Sequence, residues 1–528
     1  MTRMKKIHVI ALLSLAGFWL TGCEPDVVDD PTGTTTTTPT TIPDNDPDTT
    51  QTFTDGLTIV WDGSNATVEG NVEGVTLTSN ENGYVVVTST VKGIKYALSG
   101  SGTGQFKLYS DYKYELLFNG LTLTCSNGAP VNSQCKKAGY IVLSGTNVLT
   151  DSKTYASSDE DQKAAFFSEG QLIFSGEGTL TVNGNYKHAL ASDDYIRIKE
   201  GVLNLNATVS DGMHANDGIY IEGGTITVNA AGEGIQCDTA VTSISGGTIS
   251  VTAGDKGILS YDSIRISGGE VVVHSTDKGI KCKAGAIEIS GGKVYAICGT
   301  TTSNAQYWGP GGGNPGGGPG GGGGNPGGGP GGQSSGPEAI ESKGALTITG
   351  GEVYAYSSDD AINSAGDLTI SGGMVCAYST GNDGIDANGN CYIKGGIVYA
   401  IGASSPEVGI DANSEEQKKL YVSGGTLVAI GGLESGSSLT QTCKSTSSWS
   451  KNAWYALYTD GEAVLAFKTP ASGGTQLVVS TSGTTTLKSG VTASGTAIFN
   501  GMGYYNPSVS GGNSVSLSNY TSSGGGWW

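Results

Sequence analysis

The fold class predicted is all-β: a solenoid, specifically a parallel β-helix of about 22–23 residues per coil with a capping region at each end. Three observations predict it. First, a Gly-Gly pair recurs, its second glycine or the equivalent falling at Gly201, Gly224, Gly247, Gly269, Gly292, Gly351, Gly373, Gly396 and Gly425. The spacing is 22 or 23 residues, apart from 59 between Gly292 and Gly351 and 29 at the end. A period so short cannot be a domain, and marks repeats that bury a core only by stacking. Second, 87 of 528 residues are glycine, only 14% are charged, and Val, Ile, Thr, Ser and Tyr abound, which suits short strands joined by tight turns. Third, alignment of the repeats yields three apolar columns. One runs from Ile198 to Val422, three residues before the second glycine; another runs from Val228 to Ala429, four after it; the third runs from Leu190 to Ile410. Three inward strands per turn, with glycine at the bends, are what a parallel β-helix requires. The Leu and Asn ladder of leucine-rich repeats is absent, and propeller blades need about twice the length.

The elements follow in chain order. Residues 1–22 carry Arg3, Lys5 and Lys6 ahead of an apolar run ending in Leu-Thr-Gly, the form of a secretory leader. Small residues before Cys23 resemble a bacterial lipobox, in which Cys23 is lipidated, and the acids Glu24, Asp26, Asp29 and Asp30 resemble the export tag of surface lipoproteins. The expected address is the outer face of an outer membrane, with a lipid anchor as the only membrane contact. Residues 23–54, rich in Thr, Pro and Asp, read as a linker. The β-helix is expected over 55–434, irregular until about Gly184, where the opening coils also cover the first sheet edge. A Gly/Pro-rich insertion, 303–336, accounts for the 59-residue interval and is expected to loop out disordered. Residues 435–521 read as a β-rich cap on the final coil, and 522–528 as a tail.

The net charge of −20 repels nucleic acid, so none is expected as a partner. Among the nine cysteines only Cys125 with Cys135 makes an attractive disulfide pair, and there is no Cys-x-x-Cys zinc spacing. Polar residues flank the third apolar column. Glu338, Asp360 and Asp383 stand two residues before its isoleucine; Glu341, Asn363, Asp386 and Asp411 stand one after it. Equivalent positions on successive coils lie about 5 Å apart. At an effective dielectric near 20, each such carboxylate pair repels by roughly 3 kcal/mol. A hard cation, Ca2+, would offset that with its six to eight oxygen ligands. Earlier coils hold Asp211, His214, Glu233 and Gln236, then Lys256, Lys278 and Lys281 beside Asp255 and Asp277, a ladder able to neutralise itself; His214 reads as a lone surface histidine. In the outward positions after Gly-Gly, Tyr295, Tyr354 and Tyr399 form one column, with Tyr356 and Tyr378 in the next. Exposed at coil spacing they would stack on sugar rings; under a cap they would be core.

These residues carry a resemblance. The lipoprotein start, the Ser/Lys-Gly-Gly coils, the segment from Leu143 to Asp151, the Ala-Leu-Ala-Ser-Asp-Asp run at 189–194 and the Asp-Gly-Ile repeats resemble the carbohydrate-binding β-helix family related to pectate lyases. That resemblance implies a right-handed parallel β-helix, calcium on acidic turns, and a polysaccharide partner that is cellulose-like or contains uronic acids. The expectation is a non-catalytic polysaccharide-binding surface lipoprotein, calcium-dependent for acidic glycans. A calcium-dependent lyase of the pectate-lyase type is the alternative, and it needs an Arg or Lys as base. After the leader the only arginines are Arg197 and Arg265, three coils apart and distant from the later acids, which points away from an enzyme. A β-helix adhesin without sugar affinity is the third reading.

Overall fold

The structure, a computed structural model, describes residues 52–299 and 336–522. The leader, the lipidation position Cys23, nearly all of the linker and of the insertion, and the last six residues lie outside the described residues.

Three short strands make a coil, as in Tyr195–Ile198, Val202–Ala207 and Met213–Ala215. Each pairs in parallel with its equivalent on the next coil: Ile198 lies opposite Ile221, Leu205 opposite Val228, and Leu190 opposite Met213. This continues for about twelve turns as a parallel β-solenoid. Because the period equals one turn, pairing stacks like on like, and every residue of the three apolar columns is buried. Each buried Ile or Val contributes roughly 1.5–3 kcal/mol against exposure, so the interior is one continuous hydrophobic rod. The Gly-Gly bend is needed for space as well as conformation. Gly247 sits at φ +86°, and a Cβ there would lie 2.8 Å from the carbonyl oxygen of Gly223 one coil back.

At the N-terminal end the sheet edge is closed by reversal. Asn65–Glu69 folds back antiparallel onto Thr54–Gly63, and Val75–Glu81 onto Tyr84–Ser89, so that the first edges meet their own chain. At the other end Leu477–Ser480 runs antiparallel to Thr426–Ile430, and Cys443–Thr446 pairs with it in turn. Four further strands, Trp454–Thr459, Glu462–Lys468, Thr485–Ile498 and Gly503–Ser514, close into a small barrel.

That barrel changes two expectations. It packs along the flank of the later coils instead of only over the last one. A second apolar cluster joins Tyr295, Tyr354, Cys376, Tyr399 and Val428 of the solenoid to Tyr455, Leu465, Phe467, Ile498 and Phe499 of the barrel. The tyrosine column is therefore interface core: Tyr295 and Tyr354 are buried and Tyr399 is wholly so. Two of its hydroxyls are spent internally, Tyr399 Oη donating to the Lys468 carbonyl at 2.9 Å and Tyr295 Oη to Glu352 Oε1 at 2.6 Å. Tyr356 and Tyr378, edge to face with ring centroids 5.1 Å apart, are half-buried at the margin of the same cluster. The disulfide expectation also fails. Cys125 and Cys135 are separate buried thiols, the first facing Tyr84 Oη at 3.8 Å and the second the Tyr112 carbonyl at 3.4 Å.

Candidate functional site

Two adjoining polar columns frame the turn that leads into the third strand. The first reads His188, Asp211, Glu233, Lys256, Lys278, Glu338, Asp360 and Asp383; the second reads His214, Gln236, Leu259, Lys281, Glu341, Asn363, Asp386 and Asp411. The first column lies two residues before the inward Leu, Met or Ile, hence on the same side of the strand, and this buries Asp211, Lys278, Glu338, Asp360 and Asp383. The second is brought into line by the parallel register, with Lys281 opposite Glu341, Glu341 opposite Asn363, and Asn363 opposite Asp386.

The chemistry changes along the axis. In the middle coils acids meet lysines: Lys256 Nζ is 2.9 Å from Asp255, Lys278 Nζ 2.6 Å from Glu338, and Lys281 Nζ 2.8 Å from Glu341, which Lys343 also pairs. Glu338 and Glu341, expected from sequence among the metal ligands, are thus each paired with lysine in the folded chain. Burial alone would raise Glu341, but the bonds from Lys281 and Lys343 overcome it and hold that carboxyl below its usual value.

Beyond Glu341 the basic partners stop. Among the described residues no lysine or arginine forms an ion pair with Asp360, Asp383, Asp386 or Asp411. Asn363 Nδ2 bridges two of them, donating to Asp360 Oδ2 at 3.1 Å and Asp386 Oδ2 at 2.8 Å. The Asp383 N–H donates to Asp360 Oδ1 at 3.1 Å and the Val408 N–H to Asp383 Oδ1 at 2.5 Å. These few donors do not balance the charge. Burial, then the charges of Asp386 and Asp383, pushes Asp360 up to about 9. Burial and the neighbouring charges of Asp386, Glu407 and Glu434 push Asp383 up to about 8. Burial and Glu434 push Asp411 up to about 10. Asp386, half-buried, rises to about 6 by burial and the charges of Asp359 and Glu407. The set of carboxylate donors fits a hard cation. The stack is open, since among the described residues no three of its carboxylates bring an oxygen each within 4.8 Å of one another.

Glu434 and Glu407 were not anticipated. Glu434 continues the second column, for Leu433 bridges Ile410 in parallel just as Ile410 bridges Ile385, and extending the alignment one coil would have found it. His188 was likewise missed. It holds Asp211's position one coil earlier, so His214 is buried beside a second histidine and is not a lone surface residue.

Exposed aromatic surface lies elsewhere than in the tyrosine column. A groove of about 460 Å³ runs between the barrel and the second-strand face, lined by Met374, Ile397, Thr426, Val464, Tyr505 and Asn506. Tyr505 is 42% exposed there. On the first-strand face Tyr392 and Tyr421 stack at 5.1 Å, with Lys394 Nζ 4.8 Å from the centre of the Tyr392 ring. The arginines are engaged: Arg197 Nε donates to Glu222 Oε1 at 2.8 Å and Arg265 Nε to Glu288 Oε2 at 3.1 Å.

A capped parallel solenoid with an uncompensated acidic turn is the class these features define. Residues 81–384, more than half of the chain, match the carbohydrate-binding domain-containing protein family, and the chain belongs to it. It is 28% identical over 148 residues to a carbohydrate-binding domain-containing protein of Acetivibrio thermocellus, an alignment covering 26% of this chain and 49% of that relative. The chain thus spans about half the length of that relative. A solved structure, the polysaccharide lyase-like protein from C. thermocellum as a gadolinium derivative, aligns at 27% identity and TM-score 0.40 over 44% of this chain and 96% of its own.

Proposed function

We propose that this chain is a non-catalytic polysaccharide-binding protein, held to the outer membrane by a lipid on Cys23, whose later coils bind calcium and use it to hold acidic glycans. One observation carries the reading: Asp360 and Asp383 in one column, and Asp386 and Asp411 in the next, are stacked at coil spacing without a basic partner among the described residues. A divalent cation supplies the missing positive charge, and a cation with open positions accepts a uronate carboxylate as a further ligand. Without it, a chain of net charge −20 would repel such a glycan. Sugar faces are offered the groove at Tyr505, where an exposed ring and the Asn506 amide stand side by side. The lyase alternative loses support because both arginines are bound to glutamates on the first-strand face, away from the acidic turn.

Affinity electrophoresis through polygalacturonate and through hydroxyethyl cellulose, with calcium or with EGTA, tests this. Retardation by polygalacturonate is expected only with calcium, and is expected to vanish in Asp383→Asn/Asp411→Asn. If no polysaccharide retards the wild-type chain in calcium, the proposal fails.

A further inference from the structure

We propose that His188, Asp211 and His214 form a transition-metal site of the zinc class, separate from the calcium reading of the later coils. His188 opens the strand His188–Ser192, Asp211 takes the same repeat position one coil on, and His214 lies in the strand Met213–Ala215 that follows it. The fold buries all three, at 2%, 3% and 7% exposure. Among the described residues they are the one group whose three ligand atoms gather within 4.8 Å.

The hydrogen bonds around the group show which atoms face inward. His214 Nε2 lies 3.2 Å from Asp238 Oδ2, a half-buried carboxylate that can only accept, so Nε2 carries the proton. In the neutral ring His214 Nδ1 is then the lone-pair nitrogen, and it lies 2.9 Å from Asp211 Oδ2. His188 Nδ1 receives the Asp211 backbone N–H at 3.3 Å, which marks it as the unprotonated nitrogen of that ring, and it lies 3.1 Å from the same Oδ2. Nothing among the described residues bonds His188 Nε2, so no protein group forces its proton onto Nδ1. Asp211 Oδ1 is occupied by the Glu233 N–H at 3.1 Å and by Ser210 Oγ at 3.2 Å. With both rings neutral, two nitrogen lone pairs, the one on His188 shared with the Asp211 N–H, converge on one carboxylate oxygen, and either a metal ion or a proton on His214 Nδ1 must lie between them.

The spacing suits a small one. Tetrahedral legs of about 2.0–2.1 Å give donor–donor edges of about 3.3 Å, close to the 2.9 and 3.1 Å observed. Two imidazoles and a carboxylate select zinc-like ions over calcium, which takes oxygen donors. Asp238 behind His214 supplies the carboxylate–histidine–metal arrangement that fixes a ligand ring. The competing state is an imidazolium: one extra proton on His214, clasped between Asp211 and Asp238, with no metal.

Zinc titration of the chelator-treated full chain, in saturating calcium so that the later coils cannot report, separates the two. The expected result is one zinc per chain, lost in His188→Ala and His214→Ala and weakened about 10–100-fold in Asp238→Asn, which keeps all three ligands. Cobalt(II) in the wild-type chain should show visible bands of a nitrogen/oxygen site of low coordination number, without a thiolate charge-transfer band. That measurement decides the matter if a histidine variant fails to fold. No stoichiometric zinc at micromolar concentration, affinity unchanged by the substitutions, or cobalt that stays six-coordinate in water would each overturn the proposal.

Discussion

Lys278 and Glu338 face each other at 2.6 Å with side chains 5% and 2% exposed, so neither charge has water to fall back on. Removing one partner of such a pair leaves a buried charge, at a cost of roughly 3–5 kcal/mol, whereas replacing both with apolar groups is often neutral. Lys278→Met is expected to lower stability in urea melts by that order, and Lys278→Met/Glu338→Met to recover most of it; a double variant no better than the single would show that the pair is not the relevant unit. Asp360, Asp383 and Asp411 behave in the opposite sense. Their folded-state values lie above the unfolded ones, so the metal-free folded chain binds more protons. Their contribution to stability is fully present below about pH 4. It is lost as pH rises through about 8 to 10. In EGTA the melting temperature should fall from pH 5 to pH 9; calcium should restore it, more at high pH than at low, and Asp383→Asn/Asp411→Asn should flatten the slope. A pH-independent melting curve in EGTA would refute the assignment. The acids Asp360, Asp383, Asp386 and Asp411, with the amide Asn363, were readable as columns because a repeat turns sequence spacing into spatial adjacency. Their partners were not: that Glu338 and Glu341 meet Lys278, Lys281 and Lys343 depends on side-chain reach, which spacing does not encode.

For the solenoid strands, alternation and period sufficed to identify the inward residues, and the columns at Ile198, Val228 and Leu190 stack as read. The barrel escaped, since an alternating strand such as Glu462–Lys468 looks the same whether it caps an end or covers a flank, and only the partner's apolar surface decides. Tyr295, Tyr354 and Tyr399 were that surface, equally suited in sequence to a glycan and to Phe467 and Phe499. Their burial predicts a separation of effects. Tyr399→Phe removes the donor to the Lys468 carbonyl and should cost roughly 1–3 kcal/mol of stability by leaving a buried acceptor unpaired. Retardation by polygalacturonate should stay unchanged. Lost binding with intact stability would return the tyrosine column to the ligand surface.

At the scale of the whole molecule, a solenoid is held by contacts between neighbouring coils, so a local perturbation stays local and stability is close to a sum over repeats and their interfaces. The polar columns divide this chain into three stretches with different electrostatic solutions: histidines with Asp211, then lysine–carboxylate pairs, then acids alone. Only the last stretch depends on an added cation in the proposed function. Hydrogen exchange should therefore show, on calcium removal at pH 8, loss of protection from Ile340–Ser342 through Thr426–Ile430, while Met213–Ala215 through Ser263–Ile266 keep theirs. The barrel gives the experiment an internal reference. Phe499 N donates to Glu352 Oε1 at 2.7 Å, so loosening of the later coils should reach the residues around Phe499 before it reaches the N-terminal hairpins. Uniform loss along the solenoid would mean that calcium acts through the whole fold or binds elsewhere, and no change anywhere would leave the acidic turn without a cation. A graded response confined to the later coils is the outcome that joins the uncompensated carboxylates to a metal, and the metal to the coils on which the glycan is proposed to lie.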